Sequence, residues 1–153
     1  MKLTEHLTAG LVKVPLVSTD KKGAITELVD LIAAQGLTKD RDLLLQAVLE
    51  REAQRTTGIG RGFAIPHAKC DAVDRLVIAL GRVSKPLDFA SVDGKPVELM
   101  ALLASPTNAT SAHIQALAKL SRLVTNGPTF EKLLSAGSSA ELYQAVQSCD
   151  SEP

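Results

Sequence analysis

Tryptophan is missing from this chain, and only one tyrosine and three phenylalanines are present. So small a stock of rings offers no stacking platform for the bases of a single-stranded nucleic acid. Net charge is missing too. Seventeen Lys and Arg balance 17 Asp and Glu, which argues against a basic face for nucleic acid or for a membrane surface. No apolar run approaches the roughly 20 residues of a membrane span. The N-terminus, MKLTEHLTAG, has no apolar signal core. The expected location is therefore the cytoplasm, where the Asn108-Ala109-Thr110 sequon is without meaning. Cys70 and Cys149, the two cysteines, stand at no metal-ligand or redox spacing and are expected as free thiols.

What is present is enough for one core. A length of 153 residues with 45% hydrophobic composition suits one domain. Apolar periodicity predicts its elements. Thr4 opens a short helix to Gly10. Val12 to Leu16 alternates as a strand, at an edge or a bulge because of Pro15. Ser18 to Asp20 caps a helix that buries Ile25, Leu28, Val29 and Ile32 and stops at Gly36. Asp40 or Asp42 opens another, through Gln54. Gly62 to Ile65 reads as a short strand and Ala68 to Asp74 as a loop or single turn. Leu76 to Val83 and Val97 to Ala104 are strands apolar on both faces, the first broken by Lys85-Pro86. Thr110 or Ser111 caps a helix to Val124 that buries Leu117, Leu120 and Val124. Pro128 starts the next helix. Ser138 to Glu141 forms a capping box for the last, to about Gln147. The expectation is a single α/β domain, residues 1–147, with a mixed β-sheet flanked by helices on both faces. A polar, disordered tail, residues 148–153, follows.

The chemistry gathers in REAQRTTGIGRGFAIPHAKC, Arg51 to Cys70. His67 follows Pro66 directly, and proline restricts both its own backbone and the residue before it. Gly58, Gly60 and Gly62 let the backbone pass close to another group. A neutral imidazole has a free ring lone pair that can attack phosphorus and hand the group on. Taken alone, a histidine here is more often a structural group at a strand end. His113 falls in the first turn of its helix, where free N–H groups favour an anion. It reads equally as a capping or partly buried histidine. Arg51, at i+7 on the stripe of Leu44, Ala47 and Val48, carries a donor fork suited to phosphate. It also reads as a favourable charge at a helix C-terminus, or as a partner of Glu50 or Asp42. Thr56, Thr57, Gly58 and Gly60 offer hydroxyl and backbone donors to the same anion, or simply a tight turn. No GK[ST] follows them, so nucleotide binding has no support. Two histidines without a third ligand at a convincing spacing give no metal site. Cys70 has no adjacent base to make it a nucleophile.

The whole phrase RE…TTGIG.GFAIPHAK, with Arg51 sixteen residues before His67 and His113 forty-six after it, resembles the signature of the phosphotransferase system IIA domains. The class is fructose/mannitol (type 2), and the likeness is greatest to the stand-alone nitrogen-regulatory proteins. It runs from about Leu3 to Val146. The resemblance implies the same α/β architecture and a phosphoryl carrier. It makes His67 the phosphoryl acceptor, with His113 and Arg51 as stabilising groups, and Glu52 is read as structural. It implies an HPr-type phosphocarrier as donor, and a regulatory target or a IIB domain as the next partner, with no cofactor. A chain without a fused IIB favours the regulatory branch, as does TTGIGRG. A stand-alone sugar-type IIA, and a non-phosphorylated binding module of the same fold, are the alternatives.

Overall fold

A computed structural model describes residues 1–150. Two central strands organise it. β5 (Val77–Leu87) and β6 (Val97–Ser105) run antiparallel. Every residue from Leu99 to Ser105 is fully buried, so neighbours pointing to opposite faces both meet protein. β1 (Val12–Leu16) pairs parallel with β5 and forms one edge, where Pro15 interrupts no inner ladder. On the other side, β6 pairs in parallel with β3 (Phe63–Ala64) and, further along, with β4 (His67–Lys69). β2 (Gly58–Gly60) closes the sheet, antiparallel to β3.

Helices complete the mixed α/β architecture on both faces. Asp20 caps α1 (Lys21–Ala34), whose Ile25, Leu28, Val29 and Ile32 are fully buried. Gly36 leaves that helix at φ +71°, the left-handed exit that glycine makes without strain. Asp40 caps α2 (Arg41–Gln54), which packs on α1 and β4. α3 (Thr110–Arg122) packs against β6. α4 (Gly127–Leu134) and α5 (Ser139–Asp150) pack together. Ser138 Oγ accepts from the Glu141 amide at 3.1 Å.

The structure departs from the sequence expectations at several places. The first segment forms two 3₁₀ turns, Leu3–Glu5 and Ala9–Leu11, instead of a helix; Thr4 bonds Asp150 and caps nothing. The stretch expected to be a loop from Ala68 begins as strand β4, because β6 offers it a ladder. Lys85-Pro86 does not break β5. It lies within the register shift between Arg82 and Leu87, where both residues are exposed and a missing N–H costs no inner hydrogen bond. The residue at the cap of α3 is Ala109, with no side-chain bond, and neither Thr110 nor Ser111 takes that place. Leu117 and Val124 are only half-buried. α5 continues to Asp150, so Ser148 to Asp150 are helical where a polar tail was expected; residues 151–153 of that expected tail lie outside the described residues.

The end of α5 has a structural task. The Asp150 carboxylate accepts from the Leu3 amide at 2.8 Å, the Thr4 amide at 2.9 Å and the Thr4 hydroxyl at 2.7 Å. Its side chain is 4% exposed. Removing an acceptor there leaves three donors short of a partner. Asp150→Ala is expected to lower the unfolding free energy by about 2 kcal/mol, read as a lower urea midpoint at unchanged m-value.

Candidate functional site

β6 sets the site. His67 lies opposite Leu103 and Lys69 opposite Ser105 in the parallel ladder. Parallel partners face the same way and side chains repeat every second residue. His67, Leu103 and Ser105 therefore share one face of the sheet. α3 packs on β6 and brings His113 onto His67; the ring centroids are 5.5 Å apart and the planes tilted by 57°.

The His67 ring is fixed by its own backbone. Nδ1 lies 2.8 Å from the Ile65 carbonyl oxygen. A carbonyl only accepts, so Nδ1 carries the proton and Nε2 keeps the lone pair. Pro66 stiffens the link that makes this bond possible. Burial pushes the His67 pKa down. The Ile65 bond opposes that shift, Arg51 adds to it and Glu52 opposes it. The net effect keeps a neutral ring at pH 7.

His113 is 6% exposed, and its Nδ1 sits 2.6 Å from the Ser105 hydroxyl. Burial is the main cause that pushes its pKa down to about 4, followed by the nearby His67 and Lys69. Between the ordinary value of 6.5 and about 4, the unfolded chain binds a proton that the folded chain refuses. Stability therefore falls as pH drops through that window, by on the order of 3 kcal/mol from this residue. Urea unfolding of wild type and His113→Gln at pH 7 and pH 4 is expected to show the variant losing less on acidification.

Arg51, at the end of α2, is half-buried and donates from Nη1 to the Arg55 carbonyl at 3.0 Å. It pairs with neither Glu50 nor Asp42 among the ion pairs of the described residues. Two open depressions meet at Arg51, His67 and Leu117. One continues over Arg55, Thr56, Gly58, Ile59 and Val92, the other over Lys69 and His113. A larger cavity between the N-terminus, α3 and α5, lined by Leu3, Ile114, Lys119 and Cys149, contains neither His67 nor His113. Its lining has no imidazole, so the paired rings of His67 and His113 mark the smaller depressions as the candidate site.

The remaining candidates frame the cleft. Thr56 donates its hydroxyl to the Phe89 carbonyl at 2.5 Å and accepts from the Gly58 amide at 3.1 Å. The Thr57 amide donates to Glu52 Oε2 at 2.9 Å, and its hydroxyl bonds Glu52 Oε1. All four donors thus have protein partners. Gly58 is a close approach of another kind: a Cβ there would lie 2.2 Å from Ser91 Oγ. Gly60, at φ +106°, ends β2 just before the turn to β3 and lines neither depression. Glu52, 6% exposed, also binds Lys21 Nζ at 3.1 Å. The ion pair makes its burial tolerable and ties the threonine segment to α1 and α2. Among the described residues no group of three His, Cys, Asp or Glu could hold a metal. None of their helices is long and apolar enough to cross a membrane.

Sequence reasoning missed two members of the site. One is the Ile65 carbonyl, a backbone group with no sequence signal beyond the Pro66 that follows it. The other is Ser105, just past the strand expected to end at Ala104 but placed at the last, fully buried position of β6.

Residues 5–149 match the family described as phosphoenolpyruvate-dependent sugar phosphotransferase system, EIIA 2. The fructose-specific EIIABC component of Bacillus subtilis is 37% identical over 98% of this chain, which spans 24% of that relative's length. A fructose-specific EIIA component of Haloferax volcanii is 43% identical over 83% of this chain and 80% of its own. A nitrogen regulatory protein of Bradyrhizobium diazoefficiens is 31% identical over 95% of both. The crystal structure of nitrogen regulatory protein IIA-Ntr from Neisseria meningitidis superposes with a TM-score of 0.86 at 28% identity, over 94% of this chain and 98% of that one.

Proposed function

This chain belongs to the EIIA 2 family of the phosphoenolpyruvate-dependent sugar phosphotransferase system, and from that premise we propose that it carries a phosphoryl group on Nε2 of His67. The observation that carries the reading is the bond from Nδ1 to the Ile65 carbonyl. It leaves Nε2 unprotonated, in a cleft bordered by a second imidazole and a guanidinium. Of the Arg51 to Cys70 phrase, Thr56, Thr57 and Gly58 form the wall of that cleft, and Gly60 shapes the turn above it.

The donor is an HPr-type phosphocarrier with a phosphohistidine. The Nε2 lone pair of His67 attacks phosphorus in line. The donor's P–N bond breaks, and its ring, protonated on the other nitrogen, leaves with the bonding pair as neutral imidazole. No proton has to leave His67. The ring gains positive character as the new P–N bond forms, which strengthens the Nδ1–H bond to Ile65. His113 and Arg51 meet the charge on the phosphoryl oxygens. Catalysis is positioning and charge neutralisation. Ile59 and Val92, 38% and 76% exposed, give the partner an apolar seat beside the cleft.

The next step is regulatory: the phosphorylation state sets which nitrogen or metabolic control proteins in the cytoplasm the chain binds. The match to a nitrogen regulatory protein over 95% of both chains, and the TM-score of 0.86 to a IIA-Ntr structure, support this branch. The 43% identity to a fructose-specific EIIA component favours a second reading, in which a IIB cysteine takes the phosphate. One experiment separates them. Phosphoenolpyruvate, enzyme I and an HPr-type carrier are expected to add one acid-labile phosphoryl group, read by intact mass. Addition of a fructose-type IIB is then expected to leave it in place; discharge to the IIB would select the sugar branch. No adduct with several cognate carriers would overturn the carrier reading.

A further inference from the structure

Resting on the carrier reading above, we propose that Ser105 is a positioning residue that fixes the tautomer of His113, so that Nε2–H is presented to the phosphoryl group. A neutral imidazole has one N–H, and a serine hydroxyl has one O–H. Nδ1 of His113 and Oγ of Ser105 share one hydrogen bond at 2.6 Å, so one of the two protons lies in it.

If the imidazole supplied that proton, the hydroxyl hydrogen of Ser105 would need another acceptor. Ser105 is fully buried, and its hydroxyl bonds no other group among the described residues. An unpaired O–H in such a place is disfavoured by about 1–3 kcal/mol. If the hydroxyl supplies the proton, both groups are satisfied. Ser105 therefore donates to Nδ1, and the imidazole proton sits on Nε2. With Nδ1 turned inward, Nε2 is the nitrogen left for the depression that His113 shares with His67. Without this choice the ring would present a lone pair to an anion.

Both partners are rigid. Ser105 ends β6, and its carbonyl accepts from the Cys70 amide at 2.7 Å in the ladder that also carries His67. The His113 amide bonds the Ala109 carbonyl at 2.9 Å in the first turn of α3. The same central strand thus positions the nucleophile through pairing and its neighbouring imidazole through a side chain. The two histidines have opposite settings: Nδ1 donates in His67 and accepts in His113. Each leaves Nε2 in the state its task requires.

The test reads the tautomer directly. In uniformly ¹⁵N-labelled protein at pH 7, imidazole ¹H–¹⁵N correlation spectra are expected to show His113 with its proton on Nε2 and Nδ1 as a hydrogen-bonded acceptor. In Ser105→Ala, the Nδ1 resonance is expected to move toward that of an unbonded nitrogen, with phosphorylation about tenfold slower, the worth of one ordinary hydrogen bond. The label stays on His67. Ser105→Thr restores both readouts. A proton on Nδ1 of His113 in wild type would overturn the proposal, as would Ser105→Ala accepting phosphate at the wild-type rate. The wild-type spectrum needs no carrier and no variant. A failure of phosphorylation as such therefore strikes the carrier reading and leaves the tautomer result standing.

Discussion

His67→Ala is expected to accept no phosphoryl group while keeping its fold. With the tautomers proposed above, no other ring in the cleft offers a free lone pair. His113 has its Nδ1 engaged with Ser105, so the phosphate has no second acceptor to move to. The fold should survive because His67 is half-buried at the rim and its ladder contacts with β6 come from the backbone. Truncation at such a place typically changes stability by less than about 1.5 kcal/mol. The measurement is intact mass after incubation with phosphoenolpyruvate, enzyme I and carrier, alongside a urea melt. An acid-labile adduct on folded His67→Ala at the wild-type level would end the assignment and leave the histidine a structural role at the start of β4.

The same residue shows how far the sequence could be read. His67 could be singled out as a candidate because Pro66 and the surrounding phrase are local in sequence, although the ring alone reads as a structural group. β6 was legible because seven consecutive buried positions, Leu99 to Ser105, need apolar or small side chains, and nearly all of them have one. β4 was not. HAK has no strand period of its own and becomes a strand only because β6 lies alongside, a tertiary effect that three residues cannot encode. Fates of hydroxyls were equally hidden. Thr56 offers a hydroxyl suited to phosphate, but the fold has it donate to the carbonyl of Phe89, 33 residues away. The same holds for Ser105. One polar residue at the end of an apolar strand resembles the start of a loop, and its meaning comes from a helix that follows. Lys85-Pro86 misled in the other direction. A proline breaks an inner strand but is harmless on an exposed extension.

Arg51→Ala and His113→Ala are each expected to slow phosphorylation by about 10²–10³-fold, with the label still on His67. That is the usual effect of removing one preorganised donor from a developing oxyanion. The two variants should differ in kind. Arg51 is anchored by one Nη1 bond to the Arg55 carbonyl, which leaves other donors of its fork for oxygen. Arg51→Lys keeps the charge, loses the fork and should fall between wild type and alanine. His113 is neutral, so its loss removes a directed hydrogen bond and little long-range attraction. Raising the salt concentration should therefore slow wild type and His113→Ala alike, and affect Arg51→Ala less. Single-turnover rates with phosphorylated carrier in excess isolate the transfer step from docking. The double variant should lose less than the product of the single losses, because both groups serve the same phosphoryl oxygens. Full additivity would mean they act on separate steps, with Arg51 steering the donor toward the cleft and His113 alone meeting the charge that develops there. Two variants at the wild-type rate would place the neutralising groups on the donor protein, and His67 would be the one residue of this cleft that takes part in the reaction.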